Sequence, residues 1–259
     1  MKAAELFSLQ GRVALVTGAS SGLGQQFARA LADNGAAVAL VARRADRLSD
    51  LQKSIEAAGG RAVAVEADVT DRAAMVAAFD AAERAFGTVT ILVNNAGIAQ
   101  SPRRAIEVSE EEWRKVLGVD LDAVFFNAQE AARRMLAAKQ RGSIVNISSV
   151  LGFGVAKGTA AYAVAKAAVI QTTKALAVEL AFKGVRVNAI APGWFVTEIN
   201  DSYLESEAGA AIKRDIPMGR FGKDGDLDGA LLLLASDAGS YITGATIVVD
   251  GGQVVMITG

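Results

Sequence analysis

Short segments rich in β-branched residues alternate with longer, alanine-rich segments of helical period along almost the whole chain. The series starts with "RVALVTG" and the stretch 22–34, and it ends with the stretch 226–235 and "ATIVVDGG". Strands that read as continuous apolar runs are buried on both faces, as in a parallel sheet covered by helices. The alternation therefore predicts an α/β fold, a doubly wound parallel sheet with helices on both faces.

The pattern runs through all 259 residues without a linker or an internal repeat. Since α/β folds of this size often form one unit, we predict a single domain over 1–259. One segment, 193–218, is long, mixed and aromatic. A segment of that length after a strand's carboxyl end is where a substrate lid would sit.

Capping residues predict the start of one helix and the end of another. Ser109 and Glu112 have the spacing of a capping box, in which each side chain bonds the backbone of the other. Gly184 follows the helical stretch 160–182 and is typical of a helix end.

The chain contains no histidine and no cysteine. Without them a Ser-His-Asp hydrolase, a Cys-His enzyme and a conventional zinc site are all excluded, so we predict no metal. Any proton transfer must use Asp, Glu, Lys or Tyr.

The charge and hydropathy patterns limit the partners. The formal net charge is −1 and the basic residues are spread along the chain, so we expect no nucleic acid and no anionic membrane surface as partner. Apolar residues make up 52% of the chain, yet no run approaches the 20 residues of a spanning helix, and the start lacks the apolar core of a signal peptide. We expect a small-molecule partner, no membrane, and a cytoplasmic location, which the lack of cysteine fits.

The segment "VTGASSGLGQQ" places Gly18, Gly22 and Gly24 between the first strand and the first helix. Glycines bring backbone close to a pyrophosphate, and the helix N-terminus supplies free N–H groups and a positive dipole end. Glycine-rich turns also occur as plain connections. The position after the first strand of an alternating chain favours dinucleotide binding.

A polar pair, Tyr162 and Lys166, interrupts an apolar helical segment. Residues four apart share one helix face. A free phenol ionises near pH 10, and a neighbouring cation favours the phenolate. Such a pair can protonate a ketone oxygen as hydride arrives, or deprotonate an alcohol in reverse. The alternative is a half-buried tyrosine with a snorkelling lysine; the missing histidine, the glycine loop and Ser149, thirteen residues upstream, favour catalysis.

Five motifs occur in order: T-G-x-x-x-G-x-G at 17–24, "NNAG" at 94–97, "ISS" at 147–149, Y-x-x-x-K at 162–166 and "PGxxxT" at 192–197. With this set the chain resembles the classical short-chain dehydrogenase/reductase family over nearly its whole length. The resemblance implies a Rossmann-type fold, NAD(P)-dependent oxidation and reduction, and a homotetramer.

The end of the second strand bears on the choice of cofactor. Ala42 stands where NAD-selective members of the family carry Asp, and Arg43 follows. A carboxylate would repel a 2′-phosphate, whereas arginine can pair with it, so NADP(H) is favoured over NAD(H). The alternative is that Arg43 and Arg44 are solvated loop charges.

The resemblance also implies which residues line the cofactor. They are Gly18, Ser20, Ser21, Gly22, Leu23, Gly24, Arg43, Arg44, Asp68, Val69, Asn95, Ala96, Gly97, Tyr162, Lys166, Pro192, Gly193 and Thr197. Of these, Asp68 could instead be a simple turn residue at a strand end.

By resemblance, Tyr162 is the acid/base, Lys166 assists it and anchors the ribose, and Ser149 bonds the substrate carbonyl, while Ser148 faces the other way. Asp120 joins them as a candidate catalytic residue because it departs from the family pattern. The family has an asparagine there, which helps hold a water that leads to the lysine. A charged Asp120 near Lys166 should raise the lysine pKa, so we expect Asp120→Asn to keep or raise turnover.

The residues expected to line the substrate pocket are mostly apolar. They are Ser149, Leu151, Phe153, Tyr162, Trp194, Phe195 and Tyr203, with Met218 nearby. They favour an uncharged, moderately hydrophobic ketone, although core packing would also explain them.

The leading function is therefore an NADP(H)-dependent oxidoreductase that interconverts a ketone and a secondary alcohol, either like a 3-oxoacyl reductase or as a general carbonyl reductase. A polyol or sugar-acid dehydrogenase shares the same catalytic residues. A nucleotide sensor without turnover is the alternative from another class.

Overall fold

The structure is a computed structural model that describes residues 2–197 and 204–256. The strands in these ranges are β1 Val13–Thr17, β2 Ala37–Ala42, β3 Arg61–Glu66, β4 Ile91–Asn94, β5 Gly142–Ile147, β6 Val185–Pro192 and β7 Thr246–Val249. All pairings between them are parallel, and they form one sheet in the order β3-β2-β1-β4-β5-β6-β7.

The helices connect these strands as the alternating pattern predicted. In the described ranges they are α1 Ala3–Leu6, α2 Gly22–Asp33, α3 Ala45–Ala57, α4 Arg72–Phe86, α5 Glu110–Leu117, α6 Ala123–Ala137, α7 Ala160–Leu180, α8 Glu207–Arg214 and α9 Asp228–Ala235. Helices α5 and α6 follow each other directly and are divided by a π-helical turn at Gly118–Asp122.

Helices pack on both faces of the sheet, because each strand presents apolar side chains on both sides. Neighbouring β1 residues show this: Leu15 packs in the core that contains Phe79 of α4, and Val16 in the core that contains Phe27 of α2. All five residues of β1 are buried. The predicted Rossmann-type, doubly wound sheet in a single domain is therefore confirmed.

The helix signals are confirmed in part. The Ser109 hydroxyl accepts a hydrogen bond from the Glu112 N–H at 3.1 Å, and Gly184 has φ +81°. The reciprocal half of the capping box is wrong, because the Glu112 carboxylate turns to Arg103, 3.6 Å away.

The chain order reverses between β1 and β4, which lie side by side in the sheet. Open α/β sheets bind ligands outside the carboxyl ends of the strands at such a point. The glycine loop follows β1 and "NNAG" closes β4, so both motifs meet there. Within the described residues, no helix combines the length and apolar character needed to cross a bilayer.

Candidate active site

The glycine loop between β1 and α2 has no room for side chains at two of its glycines. Gly18 has φ +68°, and a Cβ there would come within 2.9 Å of the Ala96 Cα. A Cβ at Gly24 would overlap the carbonyl oxygen of Gly18. Bare backbone at the start of a helix is what allows a pyrophosphate to approach closely.

The N-terminus of α2 offers hydrogen-bond donors to an anion. Its N-cap residue, Ser21, makes no side-chain bond to the first turn. The first N–H groups of an α-helix have no partner within the helix and lie at its positive dipole end. Thr197 lies next to this loop, since its Cγ2 is 3.4 Å from a Cβ built at Gly22. The donors and the bare glycines fit a dinucleotide's phosphates.

Thr17, which sequence reasoning missed, joins the loops that follow β1 and β4. Its hydroxyl accepts hydrogen bonds from the backbone N–H groups of Asn95 and Ala96, both at 3.0 Å. The Asn95 amide donates back to the Thr17 carbonyl at 2.9 Å. A polar residue that closes an apolar strand was the available signal.

Arg43 and Arg44 have different surroundings after β2. Arg43 is 75% exposed, and its Nη1 lies 3.8 Å from a carboxylate oxygen of Asp68. Arg44 donates from Nη2 to the hydroxyls of Ser20 at 2.9 Å and Ser21 at 2.6 Å. Arg44 therefore lies directly on the glycine loop, so the two arginines are not equivalent solvated charges.

Asp68 forms the turn that follows β3. Its carboxylate accepts hydrogen bonds from the N–H of Thr70 at 2.9 Å and from its hydroxyl at 2.7 Å. These two bonds hold the pKa of Asp68 below its ordinary value, with a smaller contribution from Arg43. The carboxylate next to Arg43 is thus already committed to the turn.

Tyr162 and Lys166 lie close together near the start of α7. The Lys166 Nζ is 5.4 Å from the centre of the Tyr162 ring. Only 4% of the Lys166 side chain is exposed, and Nζ donates to the Ile147 carbonyl at 3.2 Å. A snorkelling lysine would reach solvent, so this reading of the pair is excluded.

A buried ion pair joins Lys166 to Asp120. The Lys166 Nζ lies 3.0 Å from Oδ1 of Asp120, whose side chain is fully buried. The other oxygen, Oδ2, accepts from the Ile98 N–H at 3.0 Å. Asp120 belongs to the π-helical turn, a feature that is frequent at functional sites. The carboxylate contacts the lysine directly rather than through a water.

Two opposing effects act on the pKa of Lys166. Burial lowers it, while the charges of Asp120 and Tyr162 and the hydrogen bond that the ammonium donates to Asp120 raise it, and the net direction is upward. The ammonium is therefore the resting form at neutral pH. Because the folded-state pKa is raised, the stability from this charge is present below the unfolded pKa of about 10.4 and is lost as the pH rises through the folded value.

Ser149 and Ser148 end β5 with different contacts. Ser149 is 8% exposed, and its hydroxyl accepts a hydrogen bond from the Leu151 N–H at 3.1 Å. The Ser148 hydroxyl donates to the Lys166 carbonyl at 2.8 Å and is thus held by the backbone of α7. A Cβ at Gly152 would lie 2.9 Å from that same carbonyl, so the turn after Ser149 packs on α7 at Lys166.

The predicted substrate residues do not all line one cleft. A cleft of about 190 Å³ is lined by Trp194, Phe195, Met218, Arg220, Gly222, Asp226, Val249, Asp250 and Gly251. Phe195 is only 5% exposed and belongs to the core, whereas Phe153, after Ser149, is 50% exposed and outside this cleft. Tyr203 lies outside the described residues.

The remaining predicted cofactor residues lie on the same sheet edge. Pro192 ends β6, and the Gly193 N–H donates to the Val249 carbonyl at 3.0 Å. Val69 and Leu23 are partly buried against opposite core clusters. Gly97 is packed against the ion pair, since a Cβ there would come within 2.6 Å of the Asp120 Oδ1.

Comparison with known proteins gives a consistent family. A family model described as "Enoyl-(Acyl carrier protein) reductase" matches residues 18–253. The chain is 44% identical over 250 residues to 3beta-hydroxysteroid dehydrogenase 1 of Eggerthella lenta, covering 95% of this chain and 94% of that protein. It is 40% identical over 248 residues to a 3-oxoacyl-(acyl-carrier-protein) reductase of Thermotoga maritima, covering 95% and 99%.

Solved structures share the fold at full length. A gluconate 5-dehydrogenase from Burkholderia cenocepacia J2315, in complex with NADP and tartrate, superposes with a TM-score of 0.93 at 36% identity. The match covers 99% of this chain and 100% of that chain. The three similar proteins act on different substrates by name, so similarity alone leaves the substrate open.

The Asp120 ion pair leads to a prediction about pH dependence. Asp120→Asn should leave the fold intact and keep or raise turnover. The amide oxygen can still accept a hydrogen bond from the Ile98 N–H, while the negative charge of the carboxylate is removed. The phenolate beside Lys166 is then favoured, so the acidic limb of the alcohol-oxidation profile should move to lower pH. Steady-state rates over a pH series measure this.

Asp120→Ala is the matched comparison, since it leaves the buried ammonium without its anionic partner and with only the Ile147 carbonyl as acceptor. It should lower the free energy of unfolding by about 3–5 kcal/mol in urea titrations, and Asp120→Asn by less. A collapse of turnover in Asp120→Asn, with its stability retained, would mean that the carboxylate itself is required.

Proposed function

Because the chain belongs to the classical short-chain dehydrogenase/reductase family and is an NAD(P)-dependent oxidoreductase, we propose that it interconverts a ketone and a secondary alcohol with NADP(H). The observation that carries this proposal is the arrangement of Tyr162 beside the buried, charged Lys166 at the carboxyl edge of the sheet. No histidine is available for the same proton transfer.

In the proposed reaction, Tyr162 transfers the proton. It donates its hydroxyl proton to the ketone oxygen during reduction and, as phenolate, accepts the alcohol proton during oxidation. The Lys166 ammonium favours the phenolate by its charge. The cofactor, when bound, would supply the hydride as NADPH during reduction and take it up as NADP+ during oxidation. Ser149 orients the substrate by a hydrogen bond to its carbonyl oxygen.

The preference for NADP(H) is proposed from the two arginines after β2. Arg44 lies against Ser20 and Ser21 of the glycine loop, and Arg43 borders Asp68. Both guanidinium groups could pair with a 2′-phosphate, and Ala42 brings no carboxylate to repel it. Bound NADP in the similar gluconate 5-dehydrogenase supports this assignment.

For the substrate we propose an uncharged, moderately hydrophobic ketone, as for a 3-oxoacyl reductase or a general carbonyl reductase. Trp194 and Met218 supply apolar surface to the cleft, and the half-exposed Phe153 supplies more after Ser149, with 193–218 as the lid of the single domain 1–259. A polyol or sugar-acid dehydrogenase is the second candidate, favoured by the structural similarity to the gluconate enzyme.

We also propose that the chain assembles as a homotetramer, in the cytoplasm as the sequence predicted. The outer side of α7 carries exposed apolar residues, Val164 at 49% and Val178 at 83%, and Phe182 follows at 102%. An apolar strip of this kind fits burial against a second copy. Light scattering coupled to size exclusion measures the mass.

A screen of ketones and alcohols with both cofactors tests the proposed function. NADPH oxidation with 3-oxoacyl thioesters, cyclic ketones and 5-ketogluconate separates the candidate substrate classes. Tight NADPH binding without turnover of any ketone or alcohol would instead support the sensor alternative.

Tyr162→Phe should lower turnover at least about a hundredfold, because it keeps the ring and removes the proton donor. NADPH binding, followed by the fluorescence of the bound nicotinamide, should remain close to that of the wild type. Near-normal turnover in this variant would refute the proposed mechanism.

Arg43→Ala and Arg44→Ala should each weaken NADPH about tenfold or more, since a hydrogen bond to a charged group contributes about 1.5–3 kcal/mol. NADH affinity should change much less, because NADH has no 2′-phosphate to lose. Fluorescence titrations of the wild type and both variants with each cofactor give the six dissociation constants. Adding Ala42→Asp to Arg43→Ala should complete the shift towards NADH, and equal losses for both cofactors would assign the arginines a structural role.

A further inference from the structure

The first turn of α7, which carries Tyr162, lacks a cap from its own segment. Thr159 occupies the N-cap position but makes no side-chain bond to the turn, and its hydroxyl donates to the Ala156 carbonyl at 2.9 Å. The first N–H groups of a helix need partners from outside it. These N–H groups include that of Tyr162, the candidate acid/base residue.

Gln100, on the loop after β4, supplies the missing acceptor. Its Oε1 accepts from the N–H of Ala161 at 3.0 Å and from the N–H of Tyr162 itself at 3.3 Å. Gln100 is 7% exposed, so water does not compete for this oxygen. The cap comes from 61 residues away in the chain.

The same loop also holds the other end of the site. Gly97 is packed against Asp120, and the Ile98 N–H donates to the Asp120 carboxylate at 3.0 Å. The loop 97–100 thus fixes Asp120, and through it Lys166, at one end and Tyr162 at the other. Ala96, the residue before this loop, donates its N–H to the Thr17 hydroxyl beside the glycine loop.

Electrostatics explain why position 100 carries an amide side chain rather than a carboxylate. A carboxylate would cap a helix N-terminus at least as well, because the dipole favours negative charge there. The Nε2 group of Gln100 has no hydrogen-bond partner among the described residues, so the amide nitrogen is not what selects glutamine. A negative charge at this place would oppose the phenolate, whereas a neutral acceptor does not.

We propose that Gln100 is a positioning residue for the reaction: its neutral carbonyl oxygen holds the backbone of Tyr162 at the start of α7 and thereby sets the phenol against the substrate carbonyl. This inference rests on the proposed function. A misplacement of about 1 Å in a reacting group can cost a hundredfold in rate.

Two variants and a control test this proposal. Gln100→Met removes the acceptor at similar length, and Gln100→Glu keeps it but adds charge. Ser109→Ala is the matched control, because it removes the N-cap of α5, where Ser109 Oγ accepts from Glu112 N–H. Thermal midpoints, NADPH affinity and the turnover of one ketone and its alcohol are measured for all, with the wild type establishing that the proposed activity exists.

Gln100→Met should lower the thermal midpoint about as much as Ser109→Ala, but its turnover should fall about ten- to a hundredfold with NADPH affinity unchanged, while Ser109→Ala keeps wild-type turnover. Turnover within twofold of wild type in a folded Gln100→Met would overturn the proposal while leaving the proposed function standing.

Gln100→Glu tests the proposal even if Gln100→Met does not fold. Its rate at optimal pH should stay near that of the wild type, and the acidic limb of alcohol oxidation should move to higher pH. Among the described residues, Lys166 lies against the Tyr162 ring and is paired with Asp120. Helix α5 also packs on α7, and its Glu112 is paired with Arg103. An unmoved pH profile would show that position 100 does not act on the phenol, and would overturn the proposal.

Discussion

The buried ion pair between Asp120 and Lys166 is the constraint around which this site is organised. An ammonium taken out of water is costly unless an anion and hydrogen-bond acceptors surround it. Here Asp120 supplies the anion, the Ile147 carbonyl supplies an acceptor, and Ile98 N–H satisfies the second carboxylate oxygen. Strand β5, the loop after β4 and the π-helical turn are therefore held together by one charge.

This arrangement connects the cofactor loops to the reacting groups. Thr17 ties the end of β1 to Asn95 and Ala96, and the loop continues through Gly97 to Asp120 and on to Gln100. Each contact joins elements far apart in sequence, yet each lies at the same sheet edge. In the proposed mechanism, the binding of a nucleotide and the placement of the phenol thus depend on a common stretch of backbone.

Much of the fold was predictable because its cause is local. Continuous apolar strands that alternate with helices are typical of a parallel sheet covered on both faces, and Ser109 and Gly184 mark helix limits by their own chemistry. Tyr162 and Lys166 were predictable as a pair because helical spacing places them on one face. Because the two residues are four positions apart on one helix, their proximity follows from the sequence alone.

The contacts that refine the site were not predictable, because their partners are distant in the chain. No local signal pairs Gln100 with the start of α7, turns Arg44 rather than Arg43 onto the glycine loop, or brings Asp120 into direct contact with Lys166. The division of the stretch 109–138 by a π-helical turn also has no marker in composition. These features depend on which loops the completed sheet brings together.

The π-helical turn at Gly118–Asp122 has a consequence for how this protein can diverge. A π turn contains one residue more than an α turn, and each residue of a helix advances the direction of the side chains by about 100°. Loss of a single residue between α5 and α6 would therefore rotate Asp120 away from the lysine while leaving both flanking helices intact. An insertion or a deletion there would break the ion pair between Asp120 and Lys166, whereas a substitution that keeps the length would not rotate Asp120.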